Sequence, residues 1–132
     1  MSNHRLTRSE RLRGRKAFQL LFHAAKQWNQ GHFRLYALPF LIRVDGPPIK
    51  VAFSVPKKPV KKASRRNLIR RRLREAYRME KPYFLANLPV GQAWLCWQWR
   101  SVEVPTVVSL RTQMRGLYDH FVGLCSATFS LD

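Results

Sequence analysis

The sequence predicts a single α+β domain, a small sheet flanked by helices in the order α-β-β-α-β-α. Three observations carry this. The chain has 132 residues, 45% of them apolar, enough for one buried core. In residues 15–27, 64–79 and 105–121 apolar side chains recur at three- and four-residue steps, the spacing of one helical face. Residues 33–43, 49–55 and 92–99 are instead rich in aromatic and branched side chains bounded by turn residues, the pattern of strands.

Taken in order, residues 1–13 read as a flexible basic arm, residues 14–125 as the folded domain and residues 126–132 as a tail. Within the arm, Thr7-Arg8-Ser9-Glu10 has the form of a capping box, soon interrupted by Gly14. The first helix carries Ala17, Phe18, Leu21, Phe22 and Ala25 on one face, and Gly31 ends that segment. Residues 33–43 follow as a strand in which Pro39 marks an edge or bulge. Asp45-Gly46-Pro47-Pro48 is a turn, and residues 49–55 then pair with the preceding strand as a hairpin. Pro56 and Pro59 bracket Lys57 and Lys58 in a loop before a basic helix that starts at Ala63 or Ser64, with Ser64 a candidate N-cap, and runs to about Met79. Pro82 and Pro89 frame a connector. The third strand sets Ala93, Leu95, Trp97 and Trp99 on one face and Trp94, Cys96 and Gln98 on the other. Pro105 suits the first turn of a last helix bearing Val108, Leu110, Met114, Leu117, Tyr118 and Phe121.

Charge narrows the function. The formal net charge is +18, with 17 Arg against 8 Lys. Such an excess implies an anionic partner bound with counterion release, and Arg offers phosphate a planar fork where Lys is a point charge. Residues 57–78 hold 11 of the 25 Lys and Arg and one acid, Glu75. At 100° per residue Ile69, Leu73, Ala76 and Tyr77 share one face of the basic helix, while Arg66, Asn67, Arg70, Arg71, Arg74 and Arg78 spread over the other. A solvated face is the alternative to a nucleic-acid surface, but solvated faces normally mix signs. No apolar run approaches the ~20 residues of a membrane span, and no broad apolar face opposes the arginines, so no membrane partner is expected. Cys96 and Cys125 have neither metal-ligand spacing nor a disulfide framework. With no signal-peptide h-region either, a cytoplasmic protein with reduced thiols and no disulfide-linked partner is expected.

The residues of protein-borne catalysis do not cluster in the sequence. The seven acids are dispersed, the four histidines form no paired-base spacing, and there is no phosphate-binding glycine loop or nucleophile elbow. No catalytic residue, metal ligand or protein-bound cofactor is expected, and an autonomous metal-dependent nuclease is disfavoured.

The stretch V-A-F-S-V-P-K-K-P-V-K-K-A-S-R-R-N-L-I-R-R-R-L-R-E-A-Y-R, residues 51–78, closely resembles the signature of the bacterial ribonuclease P protein subunit, supported by F-Q-L-L-F at 18–22 and F-R-L-Y at 33–36. The resemblance implies an α/β sandwich with the basic helix in a left-handed βαβ crossover, whereas general rules favour right-handed crossovers. It implies a protein that joins a catalytic RNA cleaving the 5′ leader from precursor tRNA, the hydrolysis and its Mg²⁺ belonging to the RNA. On the family's pattern, Lys57, Lys58, Lys61, Arg66, Asn67, Arg70, Arg71 and Arg74 bind the catalytic RNA; Lys62, Arg65 and Arg78 of the same stretch complete the expected set. A cleft holding the single-stranded leader maps onto Phe18, Phe22 and Tyr36, although i,i+4 aromatics on a helix also suit a plain core stripe. Trp94, Trp97 and Trp99 read as packing residues. The family's commonest R-N-R is here Arg66-Asn67-Leu68, which leaves residue 68 without a charged contact. The competing reading is a non-catalytic RNA-binding protein of ribosomal or RNA-chaperone type.

Overall fold

The computed structural model describes residues 6–43 and 45–129. A 3-10 turn at Arg8–Glu10 leads into α1 (Arg15–Ala24). Strands β1 (Lys26–Gln30), β2 (Phe33–Phe40) and β3 (Ile49–Ser54) follow, then helix α2 (Ala63–Ala86), strand β4 (Gln92–Trp99) and helix α3 (Val107–Phe129). The α-β-β-α-β-α order is therefore present with one further strand. That strand, β1, occupies residues expected to end the first helix. It has one partly buried apolar residue, Trp28, among exposed polar neighbours, so its periodicity is nearly silent. Gly31, at φ +58, turns it back into an antiparallel pair with β2.

The four strands lie in the order β1-β2-β4-β3. The expected hairpin between residues 33–43 and 49–55 does not form. Instead β4 lies between them, antiparallel to β2 and parallel to β3, with Leu35 opposite Trp97 and Val51 opposite Leu95. The reason is burial: every residue of β4 except the half-buried Trp94 is buried, and a strand apolar on both faces belongs in the middle of a sheet. The helix between two parallel strands, β3-α2-β4, is the crossover.

The two faces of β4 found in the sequence belong to two cores. Ala93, Leu95, Trp97 and Trp99 join Leu35, Val51, Ile69, Leu73, Tyr77, Phe84, Leu110, Met114 and Phe121 beneath α2 and α3. Cys96 and Trp94 join Leu12, Leu21, Phe18 and Tyr36 beneath α1. Cys96 and Cys125 are both free and buried, and burial pushes their thiols up to about 12 and about 11.

Helix α2 departs from expectation at both ends. Its N-cap is Lys62, which makes no side-chain cap hydrogen bond, and Ser64 lies inside the first turn. At the other end the helix runs through Pro82 to Ala86 rather than stopping near Met79. An interior proline costs roughly 3 kcal/mol, and tertiary contacts outweigh it. Phe84 is fully buried, with its ring centroid 4.5 Å from Tyr118 and 5.7 Å from Trp97, and the Tyr118 hydroxyl donates to the Phe84 carbonyl at 2.8 Å. Pro105 just precedes α3, where the Thr106 hydroxyl accepts from the Ser109 amide. At its far end α3 continues to Phe129, into the segment expected as a tail.

Two carboxylates fasten the periphery. Residues 8–12, expected within a flexible arm, are docked on the sheet: Leu12 is buried, its amide donates to Val51 at 2.9 Å, and Glu10 pairs with Lys81 at 2.6 Å. Glu80, on α2, is buried and accepts from Arg111 at 2.6 Å and Arg115 at 2.9 Å on α3. Burial raises the Glu80 carboxyl, but the hydrogen bonds from both arginines outweigh it and hold it below its ordinary value of 4.5. A carboxyl depressed by folding contributes stability above its unfolded pKa and loses it as pH falls through the folded value.

Glu80→Gln keeps the shape but removes the charge. Because both arginines are partly solvated, the expected loss at neutral pH is about 1–3 kcal/mol in urea unfolding. The unmutated protein should lose more stability than the variant between about pH 5 and pH 3. Equal pH dependence of the two would show that Glu80 is not held ionised.

Candidate nucleic-acid interface

Repulsion between like charges one turn apart works against an isolated helix, so the basic face of α2 exists because its other face is buried. Ile69, Leu73, Ala76 and Tyr77 anchor it to the sheet. The eleven cations of residues 57–78 then separate into groups with different work.

Arg65 and Arg72 reach toward the β4–α3 connection and donate to the carbonyls of Val102 at 2.8 Å and Pro105 at 3.0 Å. They clamp the fold. Arg78 is paired with Glu75 at 2.6 Å and carries little net charge outward. Arg66 folds back on the loop before the helix, donating to the carbonyls of Val60 and Lys61, both at 2.8 Å. With Val60 buried beneath, this shapes the loop that displays Lys57, Lys58, Lys61 and Lys62, all exposed. Arg70 is oriented by Asn67, whose side-chain oxygen accepts at 3.1 Å. Arg71 is exposed, and Leu68 is half-buried outside both cores. No acid lies in the first turn of α2, so the positive end of the helix dipole adds to this field.

Arg74 sits where the basic face meets the other side of the sheet. It lines a cleft of about 230 Å³ with Arg11, Arg13, Phe18, Ala52 and Phe53. Partial burial and the charges of Arg11 and Arg70 lower its pKa from the ordinary value. Three guanidiniums without an acid among the lining residues make this cleft a place for an anion. Arg11 and Arg13 escaped the sequence reading because only docking of residues 8–12 brings them here.

From that cleft the aromatic cluster continues along α1. Phe18 and Phe22 stack at 6.1 Å with 22° between planes, and Tyr36 meets Phe22 edge-on at 5.0 Å. Phe18 and Tyr36 are half-buried, but Phe22 is 49% exposed, which a core stripe does not explain. The structure thus brings Phe18, Phe22 and Tyr36 together. Arg34, two residues before Tyr36 on the same face, lies 5.8 Å from that ring and donates to its hydroxyl at 3.0 Å. Strand alternation alone would have placed it there. Trp97 and Trp99 are buried and Trp94 half-buried, as packing residues.

Among the described residues no group of three or more His, Cys, Asp or Glu converges to hold a metal ion, and no helix is long and apolar enough to cross a membrane.

Residues 6–118 match a protein-family model described as Ribonuclease P. Among solved structures, the chain is similar to the RNase P protein of Staphylococcus aureus: TM-score 0.65, 18% identity, covering 85% of this chain and 94% of that one. A Staphylococcus aureus RNase P protein mutant with defective mRNA degradation activity aligns with TM-score 0.65 and 16% identity over 86% of this chain and 88% of the other. At these identities the likeness is one of fold. No curated protein matches in sequence.

The division of labour among the arginines is measurable by amide hydrogen exchange. Arg66→Ala should raise exchange across residues 57–62 severalfold, because two carbonyl contacts are lost, whereas Arg70→Ala should leave that loop unchanged. Equal protection in both variants would show that Arg66 does not shape the loop.

Proposed function

This chain belongs to the ribonuclease P protein family, and from that we propose that it is the protein subunit of a ribonucleoprotein that removes the 5′ leader of precursor tRNA. Its loop and basic helix take the catalytic RNA through Lys57, Lys58, Lys61, Lys62, Arg70, Arg71 and Arg74, with Arg66 and Asn67 shaping that surface. Phe18, Phe22 and Tyr36 receive the single-stranded leader, for which stacking is worth about 1–3 kcal/mol per base. Hydrolysis, with its Mg²⁺, resides in the RNA. The observation that carries the reading is the continuity of the two surfaces: Arg74 and Phe18 line the same cleft. A leader leaving a cleavage site on the catalytic RNA would meet cations first and aromatic faces next.

The protein's work is then differential binding. Net charge of +18 offsets the repulsion between two polyanions, and the leader contacts exist in the substrate but not in the mature product. Both favour capture of precursor and release of tRNA.

Replacing Arg70, Arg71 and Arg74 together by Ala should flatten the salt dependence of binding to a ribonuclease P RNA. Each lost phosphate contact removes about 0.7–0.9 from the log–log slope. An unchanged slope would place the RNA elsewhere on the protein. Tighter binding to ribosomal RNA than to ribonuclease P RNA would favour a general RNA-binding role.

The assembled complex should bind precursor tRNA more tightly than mature tRNA, with the preference growing over the first few leader nucleotides. Phe18→Leu with Phe22→Leu should reduce that preference about tenfold while thermal stability falls only modestly, because Phe22 is largely solvated. A preference independent of leader length in the unmutated complex would end the leader-cleft mechanism.

A further inference from the structure

Two grooves flank the start of α1. Beneath this helix the cross-strand rows of the sheet run Leu38, Trp94 and Lys50, then Tyr36, Cys96 and Ala52. The cleft that Arg74 shares with Phe18 opens beside Ala52 and Phe53. A second groove, of about 610 Å³, opens one row away beside Lys50 and Trp94, with Ala17 on its wall instead of Phe18. Successive residues of a helix point about 100° apart, so Ala17 and Phe18 look out on different sides. The docked segment from Arg11 to Arg13 is the wall common to both grooves.

The second groove combines uncommitted positive charge with a flat ring. Arg8, Arg11 and Arg13 are exposed and Lys50 is half-buried, and among the described residues none of the four forms an ion pair. Nor does any of them clamp a neighbouring element, as Arg65 and Arg72 do. The one acid of the lining, Asp45, accepts from the amide of Gly46 at 2.9 Å. Gly46 sits at φ +79, and a Cβ there would come within 3.7 Å of Lys50 Cε, so the turn guides the lysine stem along the groove. Trp94 is half-buried, and Phe40 meets it edge-on at 5.0 Å, which fixes the plane of the indole.

We propose that this groove takes one unpaired nucleotide of the catalytic RNA, its base against Trp94 and its phosphates on Arg8, Arg13 and Lys50. The inference rests on the reading of the chain as the subunit of an RNA-based nuclease. Continuity identifies the occupant. Arg11 lines both grooves and its charge acts on Arg74 across the first, so the positive surface runs from the outer face of α2 over the docked arm. An RNA seated on α2 reaches the second groove without a further molecule, whereas a leader drawn toward Phe22 and Tyr36 lies along the other flank of α1. An acidic peptide would satisfy the cations and leave the indole unused. Paired RNA keeps its bases inside the helix, and only unpaired nucleotides splay out to stack on aromatic side chains. Such stacking tolerates any base, so the groove recognises that a nucleotide is unpaired rather than which base it carries.

The test is 2′-hydroxyl acylation footprinting of a bacterial ribonuclease P RNA bound by the full chain, with changes at three residues that line this groove and not the first. At least one unpaired nucleotide protected by the unmutated protein should regain reactivity with Trp94→Leu, and again with Arg8→Ala plus Lys50→Ala. The rest of the footprint, and the preference for precursor over mature tRNA, should persist. Affinity for the RNA should fall about five- to a hundredfold with Trp94→Leu, the range for one stacked base. Should Trp94→Leu fail to fold, the Arg8→Ala, Lys50→Ala variant decides alone. A footprint identical in all variants would overturn the proposal and leave the α2 surface standing. Renewed reactivity confined to the leader of a bound precursor would also overturn it, by making the leader the occupant. Quenching of Trp94 fluorescence, recognised by its loss in Trp94→Phe, by a polyglutamate peptide but not by oligouridylate would give the groove to an acidic protein instead. An unmutated chain that leaves no footprint would remove the subunit reading as well.

Discussion

The inner face of α2 is the contact on which the rest depends. Ile69, Leu73, Ala76 and Tyr77 are buried to 1% exposure or less, and behind them a helix carrying many more cations than acids stays helical against its own repulsion. Burial of a few large side chains at roughly 1.5–3 kcal/mol each outweighs like-charge terms of a few tenths per pair. The outer face can then be composed for a ligand rather than for the stability of the helix. Arg65 and Arg72 are diverted inward to tie α2 to the chain leading into α3, and Glu75 neutralises only Arg78. The remaining cations keep their charge for an anionic partner.

Much of this was legible in the sequence because it is local. The two faces of α2 and of β4 follow from periodicities of 3.6 and 2, and both hold residue by residue. Strand alternation in F-R-L-Y also puts Arg34 and Tyr36 on one side, although Arg34 was not among the expected site residues. What was illegible is non-local. Strand β1 has too little apolar content to announce itself, since its stability comes from the β2 ladder and from Trp28 packing on Phe121 at 6.1 Å. The hairpin expected from the Asp45–Pro48 turn gave way because a twofold-buried β4 needs partners on both edges. Pro82 looked like a stop and is not one, since Phe84 fills the space between Tyr118 and Trp97. Arg11 and Arg13 joined the cleft only through the docking of Glu10 on Lys81 and Leu12 on the sheet.

The candidate site uses each part of the fold for a different purpose. The helix supplies charge, which is long in range and blind to sequence. The aromatic faces of α1 and β2 supply stacking, short in range and also tolerant of sequence. The open sheet carries hydrogen-bonding side chains in fixed register, Asn29, Arg34, Gln98 and Ser54. The three regions adjoin, with Arg74 beside Phe18 in one cleft and Tyr36 one register step from Arg34.

The strand order has a consequence for the timing of synthesis. On a ribosome, β3 and α2 emerge before β4, yet among the described residues β4 is the sole strand partner of β3, whose other edge meets only the single bridge at Arg11. Until Gln92–Trp99 arrives, the nascent chain has one antiparallel ladder, and Leu73 and Tyr77 lack the Leu95 and Trp97 floor against which they are buried. Pairing strands so far apart along the chain is slow compared with local helix formation. The arginine-rich helix is thus without part of its floor until the last strand is in place. Insertion of the last strand is therefore what gives the basic face of α2 its fixed shape.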